Sequence, residues 1–155
     1  MNKTFAARSA MLLCISLLFL VPSCAPKKVQ IFDMPAGART DIIQIALAQQ
    51  GKKYRSGAKG PDYFDCSGLI YFTYRQAGIS VPLTAEAQGR YGAEISRGEA
   101  QPGDLVLFRI RNDDHIGIMV NGSDFVHASK SRGVAIDSLE STYWRRYLIG
   151  FRKLI

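Results

Sequence analysis

The chain has 155 residues, of which 47% are hydrophobic and 21% are charged. This length and composition suit a single packed domain and exclude a wholly disordered chain. The formal charge of +7 comes without the basic-aromatic motif that is typical of nucleic-acid binding, so no nucleic-acid partner is expected. The sequence shows no internal repeat, which excludes a solenoid.

The N-terminus predicts an exported protein. Residues 1–9 carry Lys3 and Arg8 without an acid, and residues 10–21 are almost wholly apolar. An apolar run of about a dozen residues is too short for an ordinary transmembrane span and is typical of a signal peptide, which we place at residues 1–23.

Cys24 ends the segment Val21-Pro22-Ser23-Cys24, which resembles the lipobox of bacterial lipoproteins. The acyl chains that such a cysteine receives, palmitate among them, bury enough hydrocarbon for stable membrane anchoring. Ala25 stands where an Asp would favour the inner membrane, so we expect an outer-membrane anchor that faces the periplasm. Residues 24–39 lack periodicity and are interpreted as a tether to a domain at 40–155.

The mature domain keeps one thiol out of the 3 Cys in the sequence. Cys14 leaves with the signal peptide and Cys24 carries lipid, so Cys66 has no partner for a disulfide. A lone Cys is usually a small buried hydrophobe. Two observations instead indicate a nucleophile. The thiol is unpaired in an oxidising compartment, and it lies at a predicted helix start, where N–H groups and the dipole stabilise a thiolate.

The domain is predicted to begin with helices and to end with strands. Three helices are expected: one from the N-cap Thr40 towards Gly51, one over Cys66–Ala77 between Asp65 and Gly78, and a short one from Thr84 through Gln88. Five strands are expected at Leu105–Ile110, Ile116–Val120, Phe125–Ala128, Val134–Asp137 and Ile149–Lys153. This order favours an α+β fold with a five- to six-stranded antiparallel sheet.

The 2 His, His115 and His127, both lie in the strand region on either side of an Asn-Gly turn. A two-residue loop at 121–122 would point their rings to opposite faces of the sheet. A three-residue loop at 121–123 places His127 opposite Gly117 and makes His115 its diagonal neighbour on the same face, about 7–8 Å away. We therefore expect the three-residue loop, because a base and the group that orients it must share a face.

Five short motifs occur in an order that resembles the NlpC/P60 family of cell-wall cysteine peptidases over residues 40–155. The motifs are Tyr54, Asp65-Cys66-Ser67-Gly68-Leu69, Pro102-Gly103-Asp104-Leu105, His115-Ile116-Gly117-Ile118 and Phe125-Val126-His127-Ala128. The resemblance implies a papain-like α+β fold with N-terminal helices packed on the sheet. It also implies hydrolysis of peptidoglycan stem peptides, commonly at the D-γ-glutamyl–diaminopimelate bond, without a cofactor.

Matched residue by residue, the resemblance implies a catalytic Cys-His-His triad. Cys66 matches the nucleophile that forms a thioester acyl-enzyme, His115 the base and His127 the third polar residue. Tyr54 matches a tyrosine that positions the substrate or the oxyanion.

Two motif neighbours of the nucleophile, Asp65 and Ser67, match positions that contact the amine end of the substrate in some members.

Three other interpretations stay open from the residues alone. Cys66 and the two His could hold a metal ion, although no close ligand pair supports this. The protein could also be a non-catalytic wall-binding lipoprotein, or a papain-like amidase that cuts next to the glycan.

Overall fold

The structure of the protein is a computed structural model that describes residues 37–155. The predicted signal peptide, the lipobox at Cys24 and nearly all of the predicted tether lie outside the described residues. The helices are α1 (Ala38–Leu47), α2 (Cys66–Gln76), α3 (Ala85–Gly89) and α4 (Thr142–Tyr147). The strands are β1 (Lys53–Tyr54), β2 (Tyr63–Phe64), β3 (Ala93–Ile95), β4 (Leu105–Ile110), β5 (Asp113–Met119), β6 (Asp124–Ser129), β7 (Gly133–Ser138) and β8 (Leu148–Lys153).

The framework is a six-stranded sheet in the order β3-β8-β4-β5-β6-β7. Every strand pair in it is antiparallel, so the expected α+β fold with helices packed on an antiparallel sheet is confirmed. The short strands β1 and β2 form a separate parallel pair.

The two faces of the large sheet carry separate hydrophobic clusters. On one face, α1 and α2 pack on the strands through buried side chains that include Ile42 and Ile116. On the other face, α4 contributes Trp144, whose ring lies 4.6 Å from that of Phe108. Each fully buried aliphatic or aromatic side chain stabilises the fold by about 1.5–3 kcal/mol. Because side chains alternate along a strand, successive residues of β5 face the two clusters in turn.

The first helix begins before the predicted boundary. Gly37, with a φ of 94°, takes the N-cap position that the sequence analysis assigned to Thr40. Arg39 supplies the reason, because its guanidinium donates hydrogen bonds to the Asp104 carboxylate at 2.9 Å and to the Ile155 carbonyl at 2.7 Å. These long-range contacts hold Arg39, which the sequence analysis placed at the end of the tether, on the domain as part of α1.

Helices α2 and α3 follow their predictions. The Asp65 side chain caps α2 by accepting a 2.5 Å hydrogen bond from the Gly68 N–H, and Thr84 caps α3. The elements that the sequence analysis missed are β1, β2, β3 and α4, all between 2 and 6 residues long. No helix within residues 37–155 has the length and apolar character needed to cross a bilayer.

Candidate active site

The thiol of Cys66 lies at the first residue of α2, half-buried, on the wall of a cavity of about 830 Å³. The helix starts there because Asp65 caps it, and the helix packs through Leu69 and Ile70 on the sheet. His115, His127 and Tyr54 line the same cavity. The structure therefore brings the predicted nucleophile, both histidines and the tyrosine around one space.

The electrostatics of Cys66 differ from the sequence expectation. Burial raises the pKa of the thiol, and the nearby Asp65 carboxylate raises it further. The backbone N–H groups of Ser67 and Cys66 at the helix N-terminus act in the opposite direction, but they do not outweigh burial. At neutral pH the raised pKa keeps the sulfur as a thiol, not the thiolate that a helix N-terminus alone would favour.

The histidines share one face of the sheet, as the three-residue loop predicts. Val126 pairs with Ile118 across β5 and β6, which is the register that places His127 opposite Gly117. Gly117 is required for this packing, because a Cβ there would lie 2.7 Å from the Phe125 ring and 3.4 Å from the Cβ of His127.

A chain of three side chains runs across this face. His115 Nε2 lies 2.8 Å from His127 Nδ1, and His127 Nε2 lies 2.9 Å from Asp137 Oδ2. The same carboxylate oxygen accepts hydrogen bonds from the Trp144 indole at 3.0 Å and from the Arg132 guanidinium at 2.5 Å. The structure thus adds a carboxylate behind the predicted Cys-His-His set.

The His115 ring is shielded from water by Trp144, which stacks on it at 5.6 Å with the two planes 22° apart. Burial lowers the pKa of His115 to about 3; the Lys130 charge acts in the same direction, as a proton gained by the neighbouring His127 would. The ring is therefore neutral at neutral pH and able to accept a proton.

Tyr54 is half-buried in β1 and lines the cavity. Burial raises the pKa of its hydroxyl, and the negative charge that Cys66 would carry raises it further. The hydroxyl keeps its proton and is a donor for a negatively charged oxygen that develops near the sulfur.

Asp65 and Ser67 hold the helix start together instead of facing the cavity. Lys59 Nζ donates to the Asp65 carboxylate at 3.1 Å and to Ser67 Oγ at 2.8 Å, and Ser67 Oγ donates to Asp65 at 3.0 Å. Neither Asp65 nor Ser67 is among the described residues that line the cavity. Contact of these two side chains with a substrate amine stays a prediction.

Two important residues, Asp137 and Trp144, were not singled out from the sequence. Asp137 ends a predicted strand, and counting the β6–β7 hairpin would have placed it diagonally from His127, since His127 pairs with Ala135. Trp144 lies on α4, a six-residue helix that no sequence motif predicts.

The competing metal-site hypothesis requires free ligand atoms on the histidines. Both ring nitrogens of His127 already have protein partners, at 2.8 Å in His115 and at 2.9 Å in Asp137. Across residues 37–155, no group of three or more His, Cys, Asp or Glu side chains is arranged to hold a metal ion.

Comparison with known proteins identifies the family. The NlpC/P60 family matches residues 51–153, about two thirds of the chain. The chain belongs to the NlpC/P60 family. Among solved structures, it is similar to a protein described as similar to lipoprotein, NLP/P60 family, from Staphylococcus aureus subsp. aureus Mu50. That similarity has a TM-score of 0.72 and 34% identity and covers 83% of this chain and 45% of the other.

The curated relatives of this NlpC/P60 chain include proteins that are named as endopeptidases. It is 39% identical over 114 residues to the probable endopeptidase p60 of Listeria seeligeri, which covers 73% of this chain and 22% of that protein. It is 39% identical over 99 residues to the murein DD-endopeptidase MepS/murein LD-carboxypeptidase of Escherichia coli strain K12, which covers 63% of this chain and 53% of that protein. The chain thus spans about a fifth of the p60 relative and about half of MepS.

Proposed function

We propose that this NlpC/P60 protein is a peptidoglycan hydrolase, a cysteine endopeptidase that cleaves stem peptides. The observation that carries the proposal is the shared cavity, which is lined by a thiol at a helix start and by a neutral imidazole that is hydrogen-bonded to a second histidine. Membership of the family and the endopeptidase names of its relatives support the same chemistry.

The first step is attack by the sulfur of Cys66 on a peptide carbonyl. His115 Nε2 is engaged by His127, so Nδ1 is the nitrogen left to take the thiol proton as the S–C bond forms. The negative oxygen of the tetrahedral intermediate accepts hydrogen bonds from the Tyr54 hydroxyl and the Cys66 N–H. Because both resting groups are neutral, the proton moves during attack, with no ion pair formed beforehand.

The second half of the reaction returns the enzyme to its starting state. His115 gives its proton to the departing amine as the C–N bond breaks, which leaves a thioester on Cys66. His115 then takes a proton from a water molecule that attacks the thioester, and returns that proton to the sulfur as the carboxylic product leaves.

The test is digestion of purified peptidoglycan by the full-length protein and by Cys66→Ala, with mass spectrometry of the soluble products. Cleavage by the wild type alone, with a new carboxyl terminus within the stem peptide, is expected. Equal release by both proteins would refute the nucleophile, and release of whole stem peptides, with the freed carboxyl left on the glycan, would indicate an amidase. Binding to peptidoglycan without cleavage would indicate a wall-binding role.

Two bonds are candidates for the cleavage site. The family resemblance favours the D-γ-glutamyl–diaminopimelate bond, which we take as the first candidate. The DD-endopeptidase name of the MepS relative, 39% identical over 99 residues, favours the D,D cross-link between two stem peptides as the second. Digestion of a cross-linked and an uncross-linked muropeptide separates them, because cutting of the D,D bond consumes only the cross-linked one.

We also propose that Cys24 carries a lipid anchor after removal of residues 1–23, with the segment between Cys24 and the start of α1 as the tether and the outer membrane as the site of attachment. A solved relative described as similar to a lipoprotein supports this assignment. Labelled palmitate is expected to enter the wild type and not Cys24→Ala, and membrane fractionation is expected to recover the labelled protein with the outer membrane. Unlabelled wild type would contradict the anchor.

A further inference from the structure

We propose that Asp137 determines which ring nitrogen of His115 carries its proton, acting through His127, and so keeps His115 Nδ1 free to accept the proton of Cys66. Asp137 is a positioning residue in this proposal, since its carboxylate lies two side chains away from the sulfur. The inference rests on the proposed peptidase function, but it concerns the resting protonation of two histidines and is measurable without turnover.

Each hydrogen bond between Asp137, His127 and His115 has one possible direction when Asp137 is ionised and both rings are neutral. An ionised carboxylate only accepts, so His127 Nε2, 2.9 Å from Asp137 Oδ2, carries a proton and donates. A neutral imidazole has a single N–H, so His127 Nδ1 is then an acceptor. His115 Nε2, 2.8 Å away, must donate to it. The remaining nitrogen, His115 Nδ1, is left with a lone pair.

The first link of the chain depends on Asp137 being ionised, and its surroundings ensure this. Burial alone would raise the pKa of Asp137, but the hydrogen bonds that it accepts from His127 and Arg132, together with the charge of Arg132, lower it well below its usual range. The Trp144 indole donates to the same oxygen at 3.0 Å. Donors therefore surround this oxygen, and a protonated carboxyl that donates to His127 is disfavoured.

Solvent does not compete for control of the His127 proton. The side chain of His127 is buried, with its residue only 1% exposed. The rings of Phe125 and Trp144 lie 5.2 Å and 5.0 Å from its ring. The other charged group that affects His115, Lys130, pairs with Asp113 at 3.3 Å on the exposed rim. The polar partner that selects the His127 tautomer is thus Asp137.

Removal of the Asp137 carboxylate reverses the direction of the hydrogen bond between His127 and His115. In Asp137→Ala, His127 Nε2 loses its acceptor, and the ring keeps a hydrogen bond by moving its proton to Nδ1 and donating to His115 Nε2. His115 then carries its own proton on Nδ1, where it faces the cavity as a donor and cannot accept the proton of Cys66.

The test is a long-range ¹⁵N–¹H correlation spectrum of the untagged full-length protein, which shows the protonated nitrogen of each imidazole. The chain has 2 His, so two ring systems are expected. In the wild type, both protons are expected on Nε2. In Asp137→Ala, the His115 proton is expected on Nδ1, with kcat reduced about 10²-fold and KM nearly unchanged. Asp137→Asn offers an amide oxygen to His127 Nε2 and is expected to restore the wild-type tautomers and most of kcat.

The matched control is Asp113→Ala, which removes a carboxylate from the same cavity wall without touching His127. It is expected to leave both tautomers unchanged. A wild-type spectrum with His115 protonated on Nδ1 would overturn the proposal, and this measurement does not require any variant to fold. A folded Asp137→Ala that keeps both protons on Nε2 would overturn it as well. Wild-type protein that fails to cleave peptidoglycan but shows the expected tautomers would count against the peptidase function alone.

Discussion

The helix side and the sheet side of the cavity are built by different kinds of interaction. Cys66 is positioned by local contacts, in which Asp65 accepts from the Gly68 N–H three residues further on, at 2.5 Å. His115 and His127 are brought together by the register of an antiparallel hairpin, with a 2.8 Å bond between residues twelve positions apart. The nucleophile therefore depends on one helix start, and its base depends on the alignment of several strands.

The helix side and the sheet side of the cavity also differ in how they use ionised side chains. On the helix side, Lys59 is shared between Asp65 and Ser67, and none of the three lines the cavity. On the sheet side, the carboxylate of Asp137 is aimed at the histidines. The helix side thus uses its ionised groups to hold the backbone, and the sheet side uses its carboxylate to orient the base.

Removal of one reactive group from each side of the cavity tests whether the two sides act in the same catalytic step, and it has the largest expected effect. Cys66→Ala and His115→Ala are each expected to lower kcat on the order of 10⁴-fold, because the sulfur attacks only as the ring takes its proton. The double variant is expected to be no slower than either single variant, since the two sides act as one unit. Rates are measured on a defined muropeptide, and losses that multiply in the double variant would contradict a shared step.

The next largest effect is expected on the free energy of unfolding, at Gly68 on the helix side and Gly117 on the sheet side, where a side chain has no room. In Gly68→Ala, the new Cβ would lie 2.0 Å from the backbone oxygen of Ala58. In Gly117→Ala, it would lie 2.7 Å from the Phe125 ring and 3.0 Å from the backbone oxygen of Val126, which are less severe approaches. We expect Gly68→Ala to lower the free energy of unfolding by about 3 kcal/mol or more, and Gly117→Ala by about 1–2 kcal/mol.

Urea unfolding followed by circular dichroism measures both glycine variants. Gly122→Ala serves as the control, because nothing lies within 4 Å of its Cβ and its φ is not in the left-handed region. Equal losses for Gly68→Ala and Gly117→Ala would contradict the expectation that the 2.0 Å approach at Gly68 is the more costly one.

The helix side was the easier one to predict from sequence. The cap at Asp65 and the end of α2 near Gly78 depend on residues within one or two turns, and they are as predicted. The hairpin register of His127 was also predictable, because, of the two-residue and three-residue loops compared, only the second puts both rings on the same face.

The parts that sequence analysis missed depend on distant contacts. Arg39 extends α1 by bonding to Asp104, 65 residues away, so no local signal marks the helix start. Asp137 reaches His127 only through the β6–β7 register, and Trp144 reaches Asp137 only because α4 folds back over the sheet. Local patterns do not contain this information.

The Cys66 thiol and the His115 ring are expected to be neutral before substrate binds. Since burial raises the pKa of Cys66 above its usual 9.0, the thiolate fraction should grow about tenfold per pH unit through the neutral range. Alkylation of Cys66 by iodoacetamide, followed by mass spectrometry, should rise accordingly. His115→Gln should show nearly the same profile. A flat, fast profile at neutral pH that is lost in His115→Gln would demonstrate a thiolate–imidazolium pair instead.

The smallest expected effect separates the two tasks of Asp65 on the helix side. Asp65→Ala removes both the cap of α2 and the partner of Lys59, and we expect it to lower the free energy of unfolding by about 1–2 kcal/mol. Asp65→Asn keeps an oxygen that accepts from the Gly68 N–H, so it should lose only the ion pair, about 0.5 kcal/mol, since Lys59 is partly exposed to solvent. Urea unfolding at low and high salt measures both variants. If Asp65→Asn loses as much stability as Asp65→Ala, the ion pair with Lys59 holds the helix start, and the local cap is not what distinguishes the helix side from the sheet side.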